Sequence, residues 1–134
     1  MTPYADLIVA SLELAGERCE DPTPLVYRRL FAKSPEMEAL FVRDTNGSIR
    51  GNMLYEVIEA ILDYVGRGGY GANLIRSEIV NHENLGVPPQ VFATFFVTVR
   101  DTFKDLLGAD WSGETDGAWN ALLADLDRIT AQPA

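Results

Sequence analysis

Apolar residues recur at intervals of three and four positions along nearly the whole chain, and strict alternation of apolar and polar residues is scarce. The first spacing collects apolar side chains on one face of an α-helix, whereas alternation collects them on one face of a strand. The pattern therefore predicts an all-α protein. The predicted helices are residues 3–18, 23–33, 34–41, 49–65, 72–84, 88–108 and 115–129.

Prolines and glycines mark the ends of these predicted helices. Thr23 is a suitable capping residue for the second helix, and Pro24 suits its first position, where a missing N–H costs nothing. The stretch 90–108 is rich in Val, Phe and Thr, which favour strands, but its length favours a buried helix. The helix at 49–65 is predicted to end at four glycines, Gly66, Gly68, Gly69 and Gly71.

Length and composition describe one domain of ordinary size. The chain has 134 residues, of which 47% are apolar and 23% charged, so it can bury a single core. It contains no internal repeat and no long linker, and residues 1–134 are predicted to form a single domain. No apolar run approaches the ~20 residues that are needed to cross a bilayer. The N-terminal stretch contains acidic residues at positions where a secretory signal has basic residues. We therefore expect a cytoplasmic protein.

The charge and the cysteine content exclude several classes of function. The formal net charge is −9 and the 11 Lys and Arg residues are scattered, which argues against nucleic acid and anionic membranes as partners. Cys19 is the only cysteine, so an internal disulfide and a cysteine-based zinc site are ruled out. The glycine-rich stretch 66–72 follows no strand and precedes no Lys-Ser/Thr pair, so it indicates a loop between helices and not a phosphate loop.

The only histidine, His82, lies just before a marked helix break in the stretch NHENLGV, residues 81–87. A lone histidine is usually an ordinary surface or core residue, so its role depends on its neighbours. This stretch resembles the globin family, most closely the single-domain bacterial haemoglobins and the globin domain of flavohaemoglobins. Three further stretches carry the resemblance, which covers roughly residues 5–128: VYRRLFAKSPEMEALF at 26–41, the helix start at 88–96, and AWNALLADL at 118–126.

The resemblance implies the globin fold, a three-over-three sandwich of helices around a haem pocket, with haem b as the cofactor. In globins, the histidine followed by three residues and Gly-Val is the axial ligand of the haem iron, and the resemblance gives this role to His82. Neutral imidazole is a good axial donor to iron, and a single such ligand leaves the opposite position open for a diatomic gas.

The resemblance also implies roles for other residues around the haem. Tyr27 falls where bacterial globins have a distal tyrosine, whose hydroxyl can donate a hydrogen bond to a bound gas. Phe41 falls where the family has a phenylalanine packed against the porphyrin. Haem packing is further expected from Val57, Val87, Phe92 and Phe95, with Trp119 closing the back of the pocket.

The residue at the distal gate of the pocket has two candidates. Counting back from His82 without gaps gives the gate to Arg50, with Leu54 one turn further into the pocket. A shift of three residues gives the gate to Met53 instead. Whichever count holds, three roles are open for Arg50: a hydrogen bond to the gas, an ion pair with a haem propionate, or a solvated position at a helix start.

Two positions depart from the family pattern. Phe92 replaces a tyrosine that often supports the axial histidine in bacterial globins of this type, which favours reversible binding or sensing over O–O cleavage. Glu78 stands where the family usually has Leu, four residues before His82 and on the same helical face. Three interpretations of Glu78 are open. Its carboxylate tilts to a partner such as Arg76 or Arg50, or it supports the imidazole, or its presence indicates that no haem binds.

These observations leave three hypotheses. The first is a haem globin that binds O₂, NO or CO reversibly, for oxygen binding, sensing or NO detoxification. Because the chain has no reductase module, NO dioxygenase activity would need an external reductase, and enzyme status and oligomeric state stay open. The second is a haem-less globin-fold module with a regulatory or interaction role. The third is a generic acidic helical domain in which His82 is an ordinary residue.

Overall fold

The structure, a computed structural model, describes residues 2–66, 70–87 and 89–131. Within these residues it contains six α-helices, two short 3₁₀ helices and no strand, which confirms the all-α prediction. The α-helices are α1 (Ala5–Arg18), α2 (Thr23–Lys33), α3 (Ser48–Gly66), α4 (Tyr70–Asn84), α5 (Pro89–Leu107) and α6 (Gly113–Ala131). The 3₁₀ helices are Pro35–Phe41 and Gly108–Asp110. None of the helices, within this part of the chain, is long and apolar enough to cross a membrane.

The core lies where α5 packs against α1, α2, α4 and α6, while α3 packs against α1, α2 and α4. The long segment α5 is a helix although it is rich in residues that favour strands. Its buried threonine hydroxyls bond to carbonyl groups within the helix. Thr98 donates to the carbonyl of Thr94 at 2.9 Å, and Thr102 donates to the carbonyl of Thr98 at 2.8 Å. These bonds satisfy polar groups that would otherwise be costly to bury.

The glycine group after α3 differs from its prediction at one position. Gly66 is the last residue of α3, as expected, and Gly68 and Gly69 lie outside the described residues. Gly71, however, lies inside α4, where its amide donates to the Asp63 carboxylate at 2.6 Å. The reason is the close approach of α3: a Cβ at position 71 would overlap the carbonyl oxygen of Ala60 and lie 2.9 Å from the amide nitrogen of Tyr64. Gly71 is therefore needed for packing and does not terminate a helix.

We predict that Gly71→Ala destabilises the fold, because its methyl group meets the backbone of α3, which cannot rotate away. The expected loss is about 1–3 kcal/mol, the range for overpacked sites. Urea denaturation followed by circular dichroism would measure it.

Gly16→Ala is the matched control, since Gly16 is an exposed residue inside α1 and nothing lies within 4 Å of an added Cβ. Alanine there should stabilise the helix by about 0.5–1 kcal/mol. Equal stability changes in the two variants would contradict the packing explanation.

Candidate functional site

A cavity of about 270 Å³ lies between α2, the first 3₁₀ helix, α3, α4 and the start of α5. Its wall is mostly apolar and includes six of the residues predicted for haem contact: Phe41, Met53, Val57, Val87, Phe92 and Phe95. Four side chains with polar groups also line it, namely Tyr27, Glu56, Glu78 and His82. An apolar cavity with a few polar groups is the usual form of a small-molecule site.

His82 reaches this cavity because α4 ends directly after it. Gly86 has a left-handed φ of +92°, which glycine adopts without strain. The amide of Gly86 donates to the carbonyl of Glu83 at 3.1 Å, and the amide of Val87 donates to the carbonyl of His82 at 2.8 Å. This pair of bonds is the Schellman motif that closes a helix. The spacing from His82 to Gly86 and Val87 is therefore the spacing of a helix end that presents His82 in its last turn.

The His82 ring is oriented through its Nδ1 atom. Nδ1 lies 2.8 Å from the backbone carbonyl oxygen of Glu78, which can only accept, so Nδ1 carries the proton. Nε2 is then the nitrogen whose lone pair is left for a ligand. The Phe92 ring packs against the imidazole with a centroid separation of 5.1 Å and an angle of 64°. The imidazole is thus held through Nδ1, with Nε2 making no hydrogen bond to the described residues.

The carboxylate of Glu78 also lies beside the imidazole, with Oε2 3.5 Å from His82 Nδ1. Its other oxygen, Oε1, accepts from the side-chain nitrogen Nδ2 of Asn81 at 3.4 Å. The Glu78 side chain is 34% exposed. The carboxylate is therefore neither fully buried nor unpaired in this structure. Of the roles left open by the sequence, the geometry favours support of the imidazole, while Arg50 binds Asp44 and Arg76 donates to the side-chain oxygen of Asn73 at 3.0 Å.

Tyr27 contributes the neutral polar group of the cavity. The side chain is 2% exposed, and its hydroxyl has no hydrogen-bond partner among the described residues. Burial raises the pKa of the phenol well above its usual value, so the group stays protonated and able to donate at neutral pH. Its ring lies 5.4–5.8 Å, between centroids, from Phe31, Phe41 and Phe95. A buried unpaired hydroxyl costs about 1–3 kcal/mol, which a ligand that accepts its proton would relieve.

Arg50 does not line the cavity, because Asp44 holds it at the start of α3. The Asp44 carboxylate accepts from the amides of Ile49 and Arg50, each at 3.0 Å, and from Arg50 Nε at 2.9 Å. The guanidinium lies at a separate, more polar depression on the other side of Tyr27. Met53, by contrast, lines the cavity. The geometry therefore favours the shifted count, in which Met53 and not Arg50 is the gate candidate.

Leu54 and Trp119 also lie away from the cavity. Leu54 is 2% exposed in the core, because the face of α3 that lines the cavity carries Met53 and Val57, four residues apart. Trp119 is fully buried, donates from Nε1 to Ser11 Oγ at 2.9 Å and stacks on Trp111. It packs α6 against α1 and does not close the back of the pocket.

Sequence reasoning missed several residues that line the cavity, among them Leu30, Met37, Leu40, Leu74, Ile75 and Phe96. Leu30 lies on α2 three residues after Tyr27, so the helical repeat was a signal that could have found it. Leu74 and Ile75 lie on α4 ahead of Glu78 and His82. Leu40, half exposed, comes from the first 3₁₀ helix, whose irregular geometry gives no repeat to follow.

The cavity fits a haem in its ligand chemistry. No group of three or more metal-ligating side chains lies together in the described parts of the chain, so one imidazole would need a macrocycle to supply the remaining ligands of an iron. The apolar walls suit a porphyrin, and the Tyr27 hydroxyl is a donor with no protein partner. No Lys or Arg is among the described residues that line the cavity.

Comparison with known families agrees with this geometry. A family model described as Globin matches residues 25–128, which is more than half of the chain and includes Tyr27 and His82. No curated protein and no solved structure gives a significant match. The resemblance to bacterial haemoglobins in particular stays a prediction, whereas the family itself is established. The chain belongs to the globin family, and its all-α architecture is the globin fold.

Proposed function

We propose that this globin binds haem b and, through it, a diatomic gas such as O₂, NO or CO, with His82 as the axial ligand. The observation that carries the proposal is the 2.8 Å contact between His82 Nδ1 and the Glu78 carbonyl, which leaves Nε2 as the donor atom at the cavity. Membership of the globin family supports haem-based gas binding in general.

Haem supplies an iron atom with one axial position at which a gas can bind. The chain supplies the environment of that iron. His82 would hold the iron, while Phe41 and Phe92 would pack against the porphyrin and exclude water. The Tyr27 hydroxyl would donate a hydrogen bond to the gas. Met53 is proposed as the gate, since it lines the cavity where Arg50 does not.

The remaining features of the proposal follow from the same arrangement. The helix α1 precedes the matched range but packs against α3, α5 and α6, which supports one globin domain over residues 1–134. We further propose a cytoplasmic protein of the bacterial haemoglobin type. NO dioxygenase activity would need a source of electrons, and we propose that an external reductase supplies them.

We predict that His82→Ala abolishes the CO complex of the reduced, haem-reconstituted protein, because the chain contains no other histidine to replace the ligand. Absorption spectra of the protein as isolated, reduced, and with CO would test this. Adding free imidazole to His82→Ala should restore the complex, which separates loss of a ligand from loss of the fold.

Glu83→Ala is the control, since Glu83 is the exposed neighbour of His82 and should leave the spectrum unchanged. A CO complex retained by His82→Ala without imidazole would remove His82 from the iron. A wild-type chain with no Soret band after reconstitution would instead be a haem-less globin-fold module.

We predict that Tyr27→Phe accelerates O₂ release about tenfold, which corresponds to the loss of one hydrogen bond of about 1.4 kcal/mol. The folded protein should lose no stability, because the hydroxyl has no partner among the described residues. Stopped-flow measurement of O₂ dissociation would give the rate.

Tyr55→Phe removes a hydroxyl from a side chain that is 64% exposed on α3, and it serves as the matched control. An O₂ release rate that is the same in Tyr27→Phe, Tyr55→Phe and the wild type would exclude Tyr27 as the donor to the gas.

A further inference from the structure

The carboxylate of Glu78 faces the His82 ring from one helical turn before it. Residues four apart on a helix share a face, and this pair does so with Oε2 of Glu78 3.5 Å from Nδ1 of His82. The proton on Nδ1 therefore lies near two oxygens of the same residue, the carbonyl at 2.8 Å and the carboxylate at 3.5 Å. The carbonyl makes the hydrogen bond, and the carboxylate, too distant for a short bond, acts through its charge.

One further contact keeps this carboxylate beside the ring. The side-chain amide of Asn81 lies 3.4 Å from the second oxygen of Glu78, so the carboxylate has a donor on its outer side. Glu78 is 34% exposed and His82 is 20% exposed, so the acid keeps part of its hydration while its charge acts across a partly dry contact.

No comparable support comes from the aromatic ring that packs on the imidazole. The Phe92 ring is tilted by 64° to it, and a phenyl ring has no acceptor for the Nδ1 proton. The carboxylate of Glu78 is thus the negative charge that reaches the ring, among the described residues.

We propose that Glu78 is a positioning residue that acts on the haem iron through His82, an inference that rests on the proposed function. Its negative charge stabilises the positive end of the Nδ1–H dipole and increases electron density at Nε2. A carboxylate next to a metal-ligating histidine raises the basicity of the ligand in this way. The iron–nitrogen bond is strengthened, and the ferric state, which carries one more positive charge, is favoured over the ferrous state.

Glu78→Gln tests this proposal, because it keeps the size of the side chain and removes its charge. Glu83→Gln is the matched control, since it removes the same charge from an exposed neighbour of His82. In reconstituted protein, Glu78→Gln should lower the iron–histidine stretching frequency in resonance Raman spectra of the ferrous form. It should also raise the reduction potential by about 59 mV, which is a tenfold change in the ferric-to-ferrous ratio for a one-electron couple.

A second measurement uses protein without haem. Because the chain has one histidine, its ring ¹⁵N and Nδ1–H signals need no assignment between sites. The Nδ1–H proton should move upfield in Glu78→Gln and stay in place in Glu83→Gln, while the protonated nitrogen remains Nδ1 in both, since the carbonyl of Glu78 still accepts.

The outcomes separate the two levels of the proposal. A wild type that binds no haem would contradict the proposed function. A wild type that binds haem, with Glu78→Gln and Glu83→Gln alike in stretching frequency, potential and Nδ1–H shift, would contradict only the role of Glu78. A change confined to Glu78→Gln would support it.

Discussion

The site depends on the way in which α4 ends. The left-handed Gly86 and the amide of Val87 close the helix on the carbonyl of His82, so the imidazole stands in the last turn and not in the middle of a helix. Inside that turn, the carbonyl of Glu78 accepts a hydrogen bond from Nδ1. Nε2 is therefore the nitrogen that is left for a ligand. Backbone geometry at one helix end therefore sets both the position of the donor atom and its protonation state.

The opposite wall of the cavity is determined by the start of α3. Asp44 caps this helix and also binds the guanidinium of Arg50, so this cation is held at a separate depression and not at the cavity. Hydrogen bonds from the amides of Arg50 and Ile49 outweigh the effect of burial and hold the pKa of Asp44 below its usual value, so this pairing persists at neutral pH. The polar groups of these walls are then the Tyr27 hydroxyl, which is a neutral donor, and the carboxylate of Glu56 on α3.

Local patterns predicted most of the fold because they arise within single helices. The apolar repeat gave the helices, and the spacing from His82 to Gly86 identified the helix end, since both depend on residues close in sequence. Gly71 was misassigned because its reason is contact with α3, which no local pattern contains. Arg50 was placed by counting, although Asp44, six residues earlier, carried the signal for a cap. Trp119 was placed in the pocket because burial alone does not say which neighbour a side chain meets.

The charges around the cavity act together in the proposed site. Glu78 lies on the side of His82, and Tyr27 offers a proton from the other wall. Electron density pushed through the imidazole would collect on a gas that accepts charge, and the tyrosine hydroxyl stabilises that charge by donation. In the proposed site these two effects would reinforce each other, and they would favour a gas that becomes polar when it binds over one that stays nearly neutral. Under this proposal, Glu78 and Tyr27 would together set how strongly the site discriminates between gases.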